Sequence, residues 1–341
     1  MAAAPKSPST STRGKSHMKI LVYGAGAVGS LLGGFLARGG HDVTLLGRAP
    51  HMEAVNSKGL RVTGIWGDFT TRPQTATDGE VLIAKRDPWD IVLFTVKSYD
   101  TRKVFPRAAV LVGPRTTFLS FQNGLDNLEA ARQYIPNECR LAGRIITGVE
   151  ITQPGEVRVT VSADPPAIGK DHKRGMPLSP EAVASLFTDC NLPTVPTDCI
   201  ESLIWSKAIY NCALNAPCSL RGIPYGELMQ DKQAWEISCR IVRECYAVAE
   251  ACYVHLEPAT AEGYIELLEK RLVPITAGHY PSMLQDFRKS RTEIDSLNGA
   301  ISRRGRRYEI PTPANDSITE AIKAGPKSTD ANRTMSPGDN I

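Results

Sequence analysis

From Met18 onward, short apolar runs alternate with longer amphipathic segments. "MKILVYG" is continuous, apolar and too short for a buried helix; "AVGSLLGGFLARGG" follows at helix length, and "HDVTLLGR" is a second short run, which reads strand, helix, strand. "WDIVLFTVKS" and "TTFLSFQNG" are two further short runs, each ending in polar residues. Continuous apolar strands separated by helical segments indicate a parallel sheet covered on both faces. Between Arg140 and Val161 the pattern changes to "RLAGRIITGVEITQPGEVRVTV", where Pro154-Gly155 marks a turn, so antiparallel strands at the sheet edge are expected. From Asp198 strands vanish: "DCIESLIWSKAIYNCALNAPCSL", "WEISCRIVRECYAVAEACYV" and "SMLQDFRKSRTEIDSLNGAISRR" all carry apolar residues at helical spacing. The expected organisation is an α/β half over 18–197 and an all-α half over 198–324, between disordered tails at 1–17 and 325–341.

Residues 20–40 are as apolar as a membrane anchor, but seven glycines interrupt them. Three of these, Gly24, Gly26 and Gly29, form G-x-G-x-x-G between an expected strand and an expected helix, with Ala25, Ala27 and Val28 in the variable places. In that context the first glycine permits a tight turn, the second lets backbone approach a pyrophosphate, and the third lets helix pack on strand. The helix N-terminus then receives negative charge. This is the signature of an N-terminal Rossmann-like dinucleotide-binding domain. At the end of the next strand, where an acid would bind a ribose 2'-hydroxyl, "LLGR" places Arg48, which favours a 2'-phosphate and hence NADP (NADPH). An ordinary surface arginine is the alternative there.

Composition narrows the picture. A length of 341 residues exceeds what one core usually serves, so two domains are expected. The 40 basic and 36 acidic residues are scattered and nearly balanced, which argues against a polyanionic partner such as nucleic acid. The one basic run, "RRGRR" at 303–307, fits the last turn of a helix, where cations complement the dipole. The eight cysteines include no C-x-x-C pair and no histidine at ligand spacing, so buried free thiols in a reducing compartment are expected and no metal. Residues 1–17 lack the apolar core of a secretory signal; a cytoplasmic location follows, with mitochondrial import left open because the segment has Lys6, Arg13 and Lys15 and no acid.

In open α/β sheets the ligand lies beyond the carboxyl ends of the strands. Lys97, after "IVLFTV", and Gln122-Asn123-Gly124, after "TTFLSF", are therefore expected at the reactive end of the cofactor, though a solvated lysine and a plain turn are the alternatives. In the helical half, Lys207, Asn211 and Asn215 recur at i, i+4 and i+8 on a face otherwise apolar and small. Such a polar stripe costs free energy unless it is satisfied, so a binding face explains it better than a solvent face. A lysine desolvated in a cleft gives up its proton near neutrality, which makes Lys207 the candidate general acid. Ser282 and Glu293 are eleven residues apart, a spacing that places both on one helix face. Ser282 with Gln285 also fits a capping box, and Glu293 could pair with Lys289 on the surface.

Taken together, "GAGAVG", "LLGR", "VKSYD", "QNG", "WSKAIYNCALNAPCSL" and "PSMLQDFRKSRTEIDSLNG" resemble the ketopantoate reductase family (2-dehydropantoate 2-reductase) from Met18 to about Ser317. The resemblance implies NADPH-dependent reduction of the 2-keto group of ketopantoate to D-pantoate, in pantothenate and coenzyme A biosynthesis. It implies Lys207 as proton donor, Lys97 and Asn123 at the junction of cofactor and substrate, and Asn211, Asn215, Ser282 and Glu293 around the substrate. Ser282 and the asparagine amides can donate to the substrate carboxylate, while Glu293 accepts from its distal hydroxyl. The chain departs from some members in "SLRGIPYGEL", where Gly222 and Tyr225 stand in the turn after the lysine helix. Two alternatives stay open: a reductase of another 2-keto acid, and a non-catalytic NADP sensor. A homodimer is also left open, and no membrane partner is expected.

Overall fold

In the computed structural model, the described residues are 17–85, 87–171, 177–289 and 291–325. The tails expected at 1–17 and 325–341 lie outside them, save His17 and Gly325.

The strands are β1 (Lys19–Tyr23), β2 (Asp42–Leu46), β3 (Leu60–Gly64), β4 (Phe69–Thr71), β5 (Gln74–Ala76), β6 (Ile91–Phe94), β7 (Thr117–Ser120), β8 (Arg140–Gln153), β9 (Glu156–Lys170) and β10 (Val195–Pro196). They form one sheet in the order β4-β3-β9-β8-β7-β6-β1-β2-β5, with β10 on β9. Pairing is parallel from β5 through to β8. Successive side chains of β1 point to opposite faces, as pleating requires. Ile20 and Val22 pack with Leu31, Leu32 and Phe35 of the helix Ala27–Arg38, whereas Leu21 and Tyr23 pack with Phe94, Phe105 and Phe118 on the other side. Both faces are thus covered, which is why the strands read as unbroken apolar runs.

The glycine stretch is short of the bilayer by design of its packing. A Cβ at Gly33 would stand 2.5 Å from Leu45 Cδ2, so only hydrogen lets this helix lie so close to the sheet. No helix among the described residues is long and apolar enough to cross a membrane.

The β8–β9 hairpin is antiparallel, but it does not lie at the edge of the sheet. β8 continues the parallel sheet from β7, with Phe118 opposite Arg140, and β9 is covered in turn by β3, with Arg61 opposite Glu156. The edge is supplied by β3 and β4, a pair some 90 residues earlier in the chain, and local patterning carries no sign of such a distant pairing.

The second half starts at the helix Ile200–Arg221, which Gly222 ends in the left-handed conformation at φ 67°. This helix and Lys232–Ala251 build a separate core around Cys212, Leu214, Ile241, Cys245 and Val248. Six of the eight cysteines are buried; Cys252 is half-buried and Cys199 exposed. The basic run closes the helix Asn298–Arg307, and Arg303 and Arg304 reach across to Asp126, tying the two halves together.

The segment 282–304 is not one helix. Ser282–Arg288 ends, an irregular stretch follows, and a single 3-10 turn at Ile294–Ser296 precedes Asn298–Arg307. Ser282 and Glu293 therefore do not share a helix face, and Ser282 makes no capping bond, the cap position belonging to Pro281. The cause is tertiary: Glu293, 7% exposed, is pulled inward to accept the Ser98 backbone N–H at 2.9 Å. A charge-assisted bond of this kind contributes about 1.5–3 kcal/mol, more than another turn of exposed helix gives.

Candidate active site

The glycine loop comes first. Gly24 has φ +109°, and its N–H and that of Ala25 both donate to Leu46 O, at 3.0 and 2.8 Å. β1 is thereby pinned to β2 at the turn. The first helical bond runs from Ser30 N–H to Gly26 O at 2.8 Å, so the N–H groups of Ala27, Val28 and Gly29 belong to the open first turn. Gly26 is exposed and a Cβ there would meet nothing within 4 Å, while a Cβ at Gly29 would stand 2.5 Å from Gly24 O and Thr95 Oγ1. This is a shallow cradle of backbone donors at a helix N-terminus, and it fits a pyrophosphate. Arg48 opens the next helix, its side chain 78% exposed and 3.9 Å from Asp100.

On the same carboxyl edge of the sheet, beyond β6 and β7, a polar cluster joins the two halves. Lys97 Nζ lies 2.8 Å from Asp286 Oδ2 and 3.5 Å from Glu293 Oε2. Burial works against its charge, but the carboxylates of Glu293 and Asp286 outweigh it and raise its pKa above that of an ordinary lysine. Asn123 stands in the middle. Its Oδ1 accepts from Lys207 Nζ at 2.6 Å, and its Nδ2 donates to Glu293 Oε2 at 3.4 Å. The Asn123 backbone carbonyl accepts from Asn127, and Gln122 is fixed by bonds to Val96 O and Thr101 Oγ1, both 2.8 Å. The amide is thus oriented before any ligand arrives.

Lys207 is the contrast to Lys97. Burial lowers its pKa to about 8; Glu293 opposes that shift and the cationic Arg144 adds to it. A small cleft lies between Asn123, Arg144, Lys207 and Asn211. Asn215, two turns along, is only 3% exposed and lies deeper, its Oδ1 accepting from Tyr225 Oη at 2.7 Å. The departure at Tyr225 noted in the sequence is therefore a buried partner for one of the expected asparagines. Ser282 is exposed and among the described residues makes no hydrogen bond to the cluster. No group of three or more His, Cys, Asp or Glu able to hold a metal ion occurs among the described residues.

The arrangement offers an anion cradle after β1 and, on the same carboxyl edge of the sheet beyond β6 and β7, a desolvated lysine able to release a proton. The family described as "Ketopantoate reductase PanE/ApbA" matches residues 20–170, and its C-terminal part matches residues 199–325. A 2-dehydropantoate 2-reductase from Aquifex aeolicus is 36% identical over 310 residues, covering 90% of this chain and 96% of that one. The chain belongs to the ketopantoate reductase family.

Its fold is that of the family, and the chain is an oxidoreductase of it. The PanE/ApbA family ketopantoate reductase from Ralstonia eutropha superposes with a TM-score of 0.79 at 30% identity, over 90% of this chain and 98% of that one. D-mandelate dehydrogenase, solved with NADH and anilino(oxo)acetate, superposes with a TM-score of 0.78 at 26% identity, over 90% and 97%.

Sequence reasoning missed three residues that this family member brings to its cluster. Asp286 and Ser98 complete the cage around Lys97 and Glu293, and Arg144 enters the cleft from β8. Asp286 had a readable signal, because it lies four residues after Ser282 in a motif already singled out. Ser98 acts through its backbone and leaves no signal in residue type.

Proposed function

We propose that the chain reduces a 2-keto acid, ketopantoate to D-pantoate, at the expense of NADPH. The observation that carries this reading is Lys207: half-buried in the cleft, bonded to Asn123 at the carboxyl edge of the sheet, and drawn by desolvation to about 8. A lysine with that pKa is still mostly protonated at neutral pH and can release its proton readily.

When bound, the reduced nicotinamide supplies the hydride. Lys207 Nζ holds the proton that goes to the 2-keto oxygen as the hydride reaches carbon, so one hydride and one proton convert C=O to CH–OH. Asn123 orients the ammonium, Glu293 keeps it charged, and Lys97 is held away from titration by its two carboxylates. The N–H groups of Ala27, Val28 and Gly29 would take the pyrophosphate and Arg48 the 2'-phosphate. Residues 18–197 then serve the cofactor, and 198–324 the substrate and the proton. The names of the relatives support ketopantoate as substrate, and the NADH of D-mandelate dehydrogenase supports a nicotinamide dinucleotide. The choice of NADPH rests on Arg48.

A reductase of another 2-keto acid is the second reading, favoured by Tyr225, whose ring stands edge-on to Tyr210 at 5.7 Å and whose hydroxyl occupies Asn215. Consumption of NADPH and NADH by the purified protein with ketopantoate and a panel of other 2-keto acids separates the two. Turnover confined to ketopantoate with NADPH is expected; turnover of another acid alone would favour the second reading.

A further inference from the structure

Arg144 stands on β8, 7% exposed, and lines the same cleft as Lys207, Asn123 and Asn211. Its Nη1 reaches Asp164 Oδ2 at 3.4 Å, a long contact to a carboxylate that is half exposed. Its Nε is buried with no hydrogen-bond partner. A guanidinium presents five donors in a rigid fork, and a buried charged donor left unpaired is a feature that calls for a ligand. With Nη1 turned to Asp164, the side-on edge of Nε and Nη2 is the part left for one.

The donors expected for a substrate carboxylate, Ser282 and the asparagine amides, are neutral. Ser282 is exposed and outside the hydrogen-bonded cluster, and the amide oxygen of Asn215 is committed to Tyr225. Gln122, Asn123 and Asn211 line the cleft beside Lys207 with neutral amides. An anion in this cleft has Arg144 and Lys207 as its cations, and a planar carboxylate matches the side-on edge of Arg144 in two parallel bonds.

We propose that Arg144 is a specificity-determining residue that binds the carboxylate of the 2-keto acid through Nε and Nη2, and so turns the adjacent 2-keto oxygen toward Lys207. This rests on the reading of the chain as a 2-keto-acid reductase. An uncharged ester of the same keto acid gains nothing from such a fork, so the acid is selected over the ester.

The test is steady-state kinetics of the wild type, Arg144→Gln and Arg144→Lys at saturating NADPH, with ketopantoate and its methyl ester. Arg144→Gln is expected to raise KM for the acid about 10- to 100-fold and to lower kcat for the acid with it, while the KM for the ester stays within about threefold of wild type. Arg144→Lys, which keeps the charge and loses the fork, should fall between. An unchanged KM for the acid, or equal shifts for acid and ester, would overturn the proposal. If Arg144→Gln does not fold, Asp164→Asn leaves the Nε–Nη2 edge in place and removes a competing negative charge; it should lower KM for the acid alone, and no change overturns the proposal. If the wild type turns over no 2-keto acid, the functional reading fails, and calorimetry of ketopantoate binding to the NADPH complex decides the contact by itself. Binding lost in Arg144→Gln would uphold it; equal binding, or none to the wild type, would overturn it.

Discussion

Lys207 Nζ donates to Asn123 Oδ1 at 2.6 Å across 84 residues of chain, and this bond fixes the helical half to the carboxyl edge of the sheet. Lys97 and Lys207 are both raised by Glu293, yet they end on opposite sides of an ordinary lysine, because Lys97 has Asp286 as well and Lys207 has the cationic Arg144. Glu293 lies close to Lys97 and raises it above the usual lysine range, but it only partly offsets the burial that draws Lys207 to about 8. One lysine is thereby held as a cation, and the other is set to release a proton, as the proposed reaction requires.

The pH dependence follows from that difference. In the proposed reaction the acid form of Lys207 is the active one, so kcat/KM should be flat at neutral pH and fall tenfold per pH unit above about 8. The profile of kcat/KM against pH checks this. A limb near the ordinary lysine value would mean that Lys207 is not desolvated in the free enzyme.

Glu293→Gln removes the negative charge that favours protonated Lys207, so the upper limb of the same profile should move to lower pH. The substitution also weakens the bond from Ser98 N–H and leaves Lys97 with Asp286 alone. Urea unfolding should show a loss of about 1.5–3 kcal/mol. An unmoved limb would detach Glu293 from the titration of Lys207.

Arg48→Ala should erase the preference for NADPH over NADH, raising KM for NADPH and leaving that for NADH within about twofold. Arg48 makes only a 3.9 Å contact with Asp100, so stability should change little. Equal selectivity before and after would remove Arg48 from the cofactor site.

Gly29→Ala places a Cβ 2.5 Å from Gly24 O and from Thr95 Oγ1, against backbone that cannot swing away. Loss of about 1–3 kcal/mol in stability and weaker NADPH binding are expected together, measured by urea unfolding and a cofactor titration. An alanine at this position that binds NADPH normally would contradict the close approach of helix and strand.

What the sequence reveals is what its local periods encode. The apolar runs of β1, β2, β6 and β7 disclose a parallel sheet, and the glycines disclose the turn between β1 and its helix. The spacing of Lys207 and Asn211 puts both on one face of Ile200–Arg221, and the structure brings that face to the cleft. Non-local pairing is hidden. Local patterning does not foretell that β3 covers β9, that Arg144 turns into the cleft, or that Glu293 abandons a helical register for the Ser98 backbone. In each case a contact between residues distant in sequence outweighs local propensity.

The central claim is tested most directly by turnover of ketopantoate with NADPH by the wild type and Lys207→Ala, with NADPH affinity read by fluorescence on the same samples. Turnover should fall about 10²- to 10⁴-fold while NADPH affinity stays within about twofold. Unchanged turnover in Lys207→Ala would show that the proton comes from another group and would contradict the account.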